Sequence, residues 1–141
     1  MKSTHTILVP FDGSDCSRRA LVYAEKRASI AGNHSLLVLN VQPGIPPSRF
    51  VSRAMVAEHQ KRCADAALKQ ARALLRRRKA KADFRVHIND PAATIIASAK
   101  SKRCSEIVMG NSGLGGMAKL LLGSVAAKVI QLAPCPVTVV K

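Results

Sequence analysis

Apolar residues in this chain fall into short continuous runs separated by longer segments in which they recur every three or four positions. Runs of this kind predict buried strands, and the longer period predicts helices packed on one side. Residues 83–89 differ, because Phe84, Val86 and Ile88 alternate with polar residues, which predicts a half-exposed strand near a sheet edge. The segments with a strand pattern are 6–9, 35–41, 83–89, 107–109 and 137–140.

Helical segments fill the gaps between these strands. The first is expected to begin at the N-cap Ser14 and to end at Gly32-Asn33, and the second to run from about residue 52 to residue 78. Asp90-Pro91 predicts the start of a third helix, and Gly123-Ser124 the start of a fourth. Strand and helix alternate throughout, which predicts an α/β fold, a doubly wound open sheet of five parallel strands with helices on both faces. We expect one domain over residues 1–141.

Composition agrees with that fold. Hydrophobic residues make up 48% of the chain and aromatic residues only 3%, so small aliphatic side chains must fill the interior. No apolar run approaches the roughly 20 residues that span a bilayer, and the first residues lack a long apolar region, so a cytoplasmic protein is expected. The cysteines have no C-x-x-C spacing, which argues against a zinc site or a disulfide framework and favours small core residues: Cys16, Cys63, Cys104 and Cys135.

The net charge of +15 is unusual for a chain of 141 residues. Attraction to nucleic acid, to an anionic membrane or to a polyanionic small ligand would each account for it. The segment from Lys61 to Lys81 contains one acidic residue, Asp65. Its basic residues are Lys61, Arg62, Lys69, Arg72, Arg76, Arg77, Arg78, Lys79 and Lys81. A basic module that docks on nucleic acid or an acidic protein is therefore one functional hypothesis, although a charged helix face is usually only solvated.

A glycine-rich segment follows the strand at 107–109. Glycines just past a strand let backbone N–H groups approach a ligand, and a helix that opens at Gly123-Ser124 carries a partial positive charge at its start. Together these features predict an anion site, with phosphate as the expected anion. The spacing Gly110-x2-Gly113-x9-Gly123-Ser124 is neither a Walker A loop nor the dinucleotide fingerprint.

This spacing resembles, residue for residue, the Gly-x2-Gly-x9-Gly-Ser/Thr motif of the ATP-binding class of the universal stress protein family. The resemblance extends from Ile7 to Val140 and implies the strand order 3-2-1-4-5. In that order the winding reverses between the first and fourth strands, where open parallel sheets bind ligands. Asp12 would then stand beside Gly110.

The resemblance also implies roles for individual residues. Asp12 would bind the ribose hydroxyls, with the backbone near Pro10 close by, although Asp12 could instead be a turn residue that caps the first helix. Val41 would meet the adenine through backbone atoms, and Met109 and Gly110 would flank the base and sugar. The residues expected to hold the phosphates are Gly113, Gly123, Ser124 and Val125.

Three positions depart from the commoner family pattern. Asn40 stands where histidine is frequent, Asn89 where glycine is usual, and Ser112 where a basic residue is frequent. The last change would weaken a phosphate contact. Any Mg²⁺ is expected to be held mainly by the phosphates of ATP.

The function expected from the sequence is ATP binding with a regulatory, stress-response role. The motif has no Walker lysine, arginine finger or acidic base, so little or slow hydrolysis is expected. Lys119 could reach a phosphate but more simply remains solvated. An adenylating enzyme is a third hypothesis, weakened by the absence of the synthetase signatures. Family members commonly pair through the last strand, which predicts a homodimer through the segment from Pro136 to Val140.

Overall fold

The structure is a computed structural model that describes residues 5–113 and 122–141. Strands and helices alternate along these ranges in the order predicted, and each predicted element is found within about two residues of its expected bounds. The elements are β1 (His5–Pro10), α1 (Asp15–Ala31), β2 (His34–Gln42), α2 (Arg53–Arg77), β3 (Asp83–Ile88), α3 (Pro91–Ser101), β4 (Glu106–Gly110), α4 (Ser124–Leu132) and β5 (Val137–Val140).

The sheet has five strands in the order β3-β2-β1-β4-β5, and every neighbouring pair is parallel. The order implied by the family resemblance is thus confirmed. Since β1 lies between β2 and β4, its carboxyl end adjoins the end of a strand nearly a hundred residues further along the chain. The reversal of winding therefore opens a crevice at the carboxyl ends of β1 and β4.

Helices cover both faces of the sheet, as the two-sided apolar strands predict. Ile7 and Val9 of β1 point into a core shared with α1 and α2, whereas Leu8 points into a core shared with α3 and α4. This alternation follows from the period of two along a strand. β4 is accordingly buried throughout and β1 and β2 are buried along their middle residues, while β3 at one edge exposes Val86 and Ile88.

The capping residues predicted for α1 and α3 are present. Ser14 caps α1, because its hydroxyl accepts a hydrogen bond from Ser17 N, and Gly32 ends that helix in the left-handed region at φ 74°. Asp90 caps α3 by accepting from Ala93 N. None of the helices in the described ranges has the length and apolar character needed to cross a membrane.

The expectation that the cysteines are core residues is correct only for Cys104, which is buried. Cys16, Cys63 and Cys135 are partly exposed, and all four are free thiols. Burial raises the pKa of the Cys104 thiol to about 11, because the thiolate would lose its hydration. Exposure of the other three sulfurs could not be read from their neighbours in the sequence.

Candidate functional site

A cavity of about 540 Å³ opens at the carboxyl ends of β1, β2 and β4, where the sheet reverses its winding. Its size is that of an ordinary small-molecule pocket. All of the residues selected from the sequence line it, although they come from four separate parts of the chain: Pro10, Asp12, Val41, Met109, Gly110, Gly113, Gly123, Ser124 and Val125.

The turn that follows β1 places a carboxylate at the mouth of this cavity. Asp12 Oδ1 accepts a hydrogen bond from Ser14 N at 2.9 Å, and Gly13 makes the turn possible with φ at +88°. The helix cap itself is Ser14, so the interpretation of Asp12 as the capping residue of α1 is wrong, although its Oδ1 does stabilise the turn. Asp12 Oδ2 faces Gly113: a Cβ built on that glycine would lie 2.6 Å from this oxygen.

Gly110 ends β4 in direct contact with the start of α1. A Cβ at this position would lie 2.6 Å from Cys16 Cβ and 2.9 Å from the Cys16 carbonyl carbon, so only glycine fits without a shift of the helix. The next residue is held from two sides, since Asn111 N donates to Val140 O and Cys16 Sγ donates to Asn111 Oδ1 at 3.0 Å. The ends of β4 and β5 and the start of α1 are therefore fixed to one another.

A hydrogen bond joins the two residues that flank the segment 112–122. Gly123 N donates to Asn111 O at 2.6 Å, so these two residues lie together although they are distant in the sequence. Residues 114–121, which include Gly115, Gly116 and Lys119 of the predicted loop, lie outside the described part of the chain.

The amino end of α4 opens onto the cavity. Gly123 occupies the N-cap position and makes no side-chain cap hydrogen bond to the helix. The first N–H groups of a helix have no intrahelical partner and carry the positive end of the helix dipole. Gly123, Ser124, Val125 and Ala126 all line the cavity, so these N–H groups are available to an anion bound there.

A relay of side-chain amides orders the end of β2. Asn40 is buried, and its Nδ2 donates to Phe11 O at 2.8 Å, which leaves its Oδ1 to accept from Gln42 Nε2 at 2.8 Å. Because Phe11 O can only accept, both amide orientations are determined. Asn40 thus ties the end of β2 to the residue that follows β1, and Gln42 lines the cavity next to Val41.

Helix α2 closes one side of the cavity with a residue that the sequence reasoning missed. Cys63 lines the cavity, and its Sγ lies 3.6 Å from His59 Nε2 one turn earlier. Gln60 Nε2 donates to Pro43 O at 3.0 Å and fixes α2 against the loop after β2. No local pattern marks Cys63, because its position depends on how α2 packs. Ser112, expected near the phosphates, also lines the cavity, and the other unpredicted lining residues are Phe11, Ser17, Leu39, Gln42, Pro43, Pro91, Ile95, Asn111 and Ala126.

The described lining has a distinctive charge pattern. Asp12 is its one carboxylate, and within residues 5–113 and 122–141 no lysine or arginine contributes to the wall. In the same ranges, no group of three or more histidine, cysteine or acidic residues is placed to hold a metal ion. Anionic ligand groups in this cavity would therefore be met by backbone N–H groups and hydroxyls rather than by the described cationic side chains.

A second hollow of similar volume, about 560 Å³, lies between β3 and α3. Its lining includes Leu37 and Leu39 of β2, Arg85 and His87 of β3, and Ser98 of α3. This hollow lies along the exposed face of an edge strand. The ends of several strands do not meet there, and no helix begins there among the residues that line it. The cavity at the sheet crevice is therefore the better candidate.

Comparison with known proteins agrees with this geometry. Residues 3–141 match the universal stress protein family. A universal stress protein of Thermus aquaticus is 34% identical over 137 residues, which cover 96% of this chain and 98% of that protein. A universal stress protein solved in complex with cAMP has a TM-score of 0.74 and 27% identity over 97% of both chains. An Arabidopsis thaliana family member solved with AMP bound has a TM-score of 0.71 and 21% identity over 97% of this chain and 91% of that one, which shows the shared fold.

The match over nearly the whole length, the identity to the Thermus protein and the strand order lead to one conclusion. This chain belongs to the universal stress protein family.

Proposed function

We propose that this chain is an ATP-binding member of the family, with a regulatory role in the stress response. The observation that carries the proposal is the uncapped amino end of α4, which opens onto the same cavity as the carboxylate of Asp12. A triphosphate suits the amino end of α4, and the hydroxyls of a ribose suit the carboxylate of Asp12. The related structures that hold cAMP and AMP support an adenine nucleotide.

The proposed nucleotide lies in the cavity in one direction. Asp12 accepts hydrogen bonds from the ribose hydroxyls, and Pro10 lies beside the sugar. Val41, Met109 and Gly110 enclose the base and sugar at the ends of β2 and β4. The phosphates lie over the amino end of α4, held by backbone N–H groups and the Ser124 hydroxyl. The phosphate-binding residues in this arrangement are Gly113, Gly123, Ser124 and Val125.

Binding with little turnover is the expected activity. Rapid phosphoryl transfer requires groups that position water and stabilise charge on the γ-phosphate. Within the described ranges, Asp12 is the carboxylate of the lining, and its Oδ1 is engaged in the turn after β1. Mg²⁺ would accompany ATP and be held mainly by the phosphates. The four free thiols fit a cytoplasmic protein, because that compartment keeps cysteines reduced.

Calorimetric titration with MgATP tests the proposal. Asp12→Asn keeps an amide oxygen for Ser14 N but removes the charge, so ATP affinity should fall about tenfold, as expected for a hydrogen bond to a charged group. Asp15→Asn is the matched control, because Asp15 is exposed and pairs with Arg18 outside the cavity. Equal ATP affinity in both variants would place the ribose elsewhere, and no binding to the wild-type protein would end the proposal.

We also propose a two-fold homodimer through the last strand, from Pro136 to Val140. Ile107 N donates to Pro136 O and Asn111 N to Val140 O, so the backbone groups of residues 136, 138 and 140 face β4. The groups of Val137 and Val139 then point to the free edge, since they alternate along a strand. Such an edge can pair with the same edge of a second copy.

Sedimentation velocity on proline variants tests the dimer. Val139→Pro removes an edge N–H without removing a bond to β4, so a folded monomer is expected. Thr138→Pro removes an N–H that faces β4 and should lower the melting temperature instead. A wild-type monomer at tens of micromolar, or a Val139→Pro dimer as stable as the wild type, would contradict the proposed interface.

A further inference from the structure

The outer side of α2 is strongly basic, although exposed Glu58 and Asp65 lie among its basic residues. We define the basic face as six exposed side chains on this helix: Lys61, Arg62, Lys69, Arg72, Arg76 and Arg77. Exposed Lys79 and Lys81 extend it beyond the end of the helix. The face lies on the α1–α2 side of the sheet, and its residues do not line the cavity at the crevice.

Few of these charges are neutralised within the chain. Arg62 makes an exposed pair with Glu58 at 3.4 Å, which contributes little in water. Arg78 behind the face is different, because it pairs with buried Glu25 and serves the packing of α1 on α2. Of the six residues of the basic face, Arg62 is the one for which the described part of the chain shows an ion pair. The basic face is therefore available to an external polyanion.

The face lacks the side chains that anchor a protein partner. Protein interfaces depend on buried aromatic and aliphatic residues at their centre. None of the exposed large hydrophobic residues in the described ranges lies between residues 61 and 81. The nearest ring, Phe84, is covered by the Arg72 guanidinium at 4.1 Å from its centroid. A surface with charge and no anchors fits a phosphate backbone better than an acidic protein.

The same features of the basic face favour double-stranded over single-stranded nucleic acid as its ligand. Single strands are held by stacking of bases on exposed aromatic rings, which the basic face does not offer. A duplex presents phosphates at regular spacing, and the basic face, from Lys61 to Arg77, extends over about 24 Å of helix, roughly two thirds of one duplex turn. We propose that the basic face binds the phosphate backbone of duplex nucleic acid without sequence preference. This inference is independent of ATP binding.

Fluorescence anisotropy with a labelled duplex of about two turns tests the proposal across a salt series. The wild-type protein should bind random-sequence duplexes with a Kd between about 10⁻⁶ and 10⁻⁴ M at physiological salt. The variant with Lys69→Gln, Arg76→Gln and Arg77→Gln should show a slope of log K against log salt that is shallower by about 2.7, since each phosphate contact contributes about 0.9. Arg78 is left unchanged because of its bond to Glu25.

A second triple variant is the matched control. Lys100→Gln, Lys102→Gln and Lys128→Gln remove the same charge from exposed positions on the α3–α4 side and should leave the slope within about one unit of the wild-type value. Equal losses in both triples would show attraction to overall charge and overturn the proposal. Tighter binding of poly-glutamate than of duplex would overturn it in favour of an acidic protein. Separate DNA and RNA duplexes show which form is preferred, and unchanged melting temperatures and ATP affinity keep this result separate from the proposed function.

Discussion

At the scale of single residues, the relay of Asn40 and Gln42 bears on how the base of the proposed nucleotide would be recognised. Asn40 donates to Phe11 O and accepts from Gln42 Nε2, so the Gln42 amide is held at the cavity that Gln42 lines by a bond that does not use its Oε1. An acceptor at this position suits the exocyclic amino group of adenine and opposes the exocyclic oxygen of guanine. If Gln42 Oε1 meets the base in the proposed complex, ATP should bind more tightly than GTP.

Removing the Gln42 amide should reduce that preference. Gln42→Met keeps the length of the side chain but cannot accept as an amide does, so the ratio of ATP to GTP affinity should fall about fivefold, the equivalent of one neutral hydrogen bond. The ratio is measured by competition between the two nucleotides. Gln131→Met, at an exposed position in the last turn of α4 and outside the cavity, is the control. An unchanged ratio in Gln42→Met would show that the backbone alone selects the base.

At the scale of elements, Gly110 sets how closely α1 approaches β4. Gly110→Ala would push a methyl group against the Cys16 backbone, so we expect a loss of about 1–3 kcal/mol in the free energy of unfolding. Gly44→Ala meets no neighbouring atom and should leave the stability within about 1 kcal/mol of wild type. Urea denaturation of both variants makes the comparison. A Gly110→Ala protein as stable as Gly44→Ala would mean that α1 moves freely.

The contact of α1 with α2 depends on Glu25. Burial by itself raises the pKa of this carboxyl, but hydrogen bonds from Arg78 and Ser29 and the charge of Arg78 outweigh it and hold the pKa below its ordinary 4.5. Because the folded-state pKa is lowered, the stabilisation is complete above the unfolded-state pKa and is lost as pH falls through the lowered value.

Glu25→Gln should therefore destabilise the protein by about 1–3 kcal/mol near neutral pH, as for a hydrogen bond between charged groups. The difference from wild type should shrink below pH 4.5 and vanish once Glu25 is protonated in the folded state. Urea denaturation at a series of pH values measures it. Glu58→Gln, which affects an exposed pair, should change the stability by less than about 1 kcal/mol at every pH. A pH-independent effect of Glu25→Gln would contradict the electrostatic explanation.

At the scale of the whole molecule, most of the fold could be predicted from local patterns. Apolar runs, caps such as Ser14 and Asp90, and the stop at Gly32 are properties of neighbouring residues, and the structure confirms them. The strand order needed the family resemblance, because alternation of strands and helices is compatible with other orders. The structure confirms that order, and the order places the chosen site residues around one cavity.

Other features depend on tertiary contact and left no local signal. Cys63 reaches the cavity only because α2 packs across the end of β2, and Gln42 is oriented by a residue that is itself held by Phe11. The sequence also could not show which basic residues have a partner within the chain. In the structure Arg78 pairs with Glu25, whereas Arg76 and Arg77 are exposed on the basic face. Sequence periodicity identifies the face of a helix but not the neighbour of each side chain.

The most direct test of the central claim places a negative charge at the amino end of α4. Calorimetry with MgATP would compare wild type with Ser124→Asp and with Ser52→Asp, which adds the same charge at the start of α2, where Ser52 is the cap and lies outside the cavity. Aspartate favours a helix amino end, so neither variant should lose stability. We predict that Ser124→Asp weakens ATP binding at least tenfold and that Ser52→Asp does not. Equal ATP affinity in all three proteins would contradict a phosphate site at the start of α4.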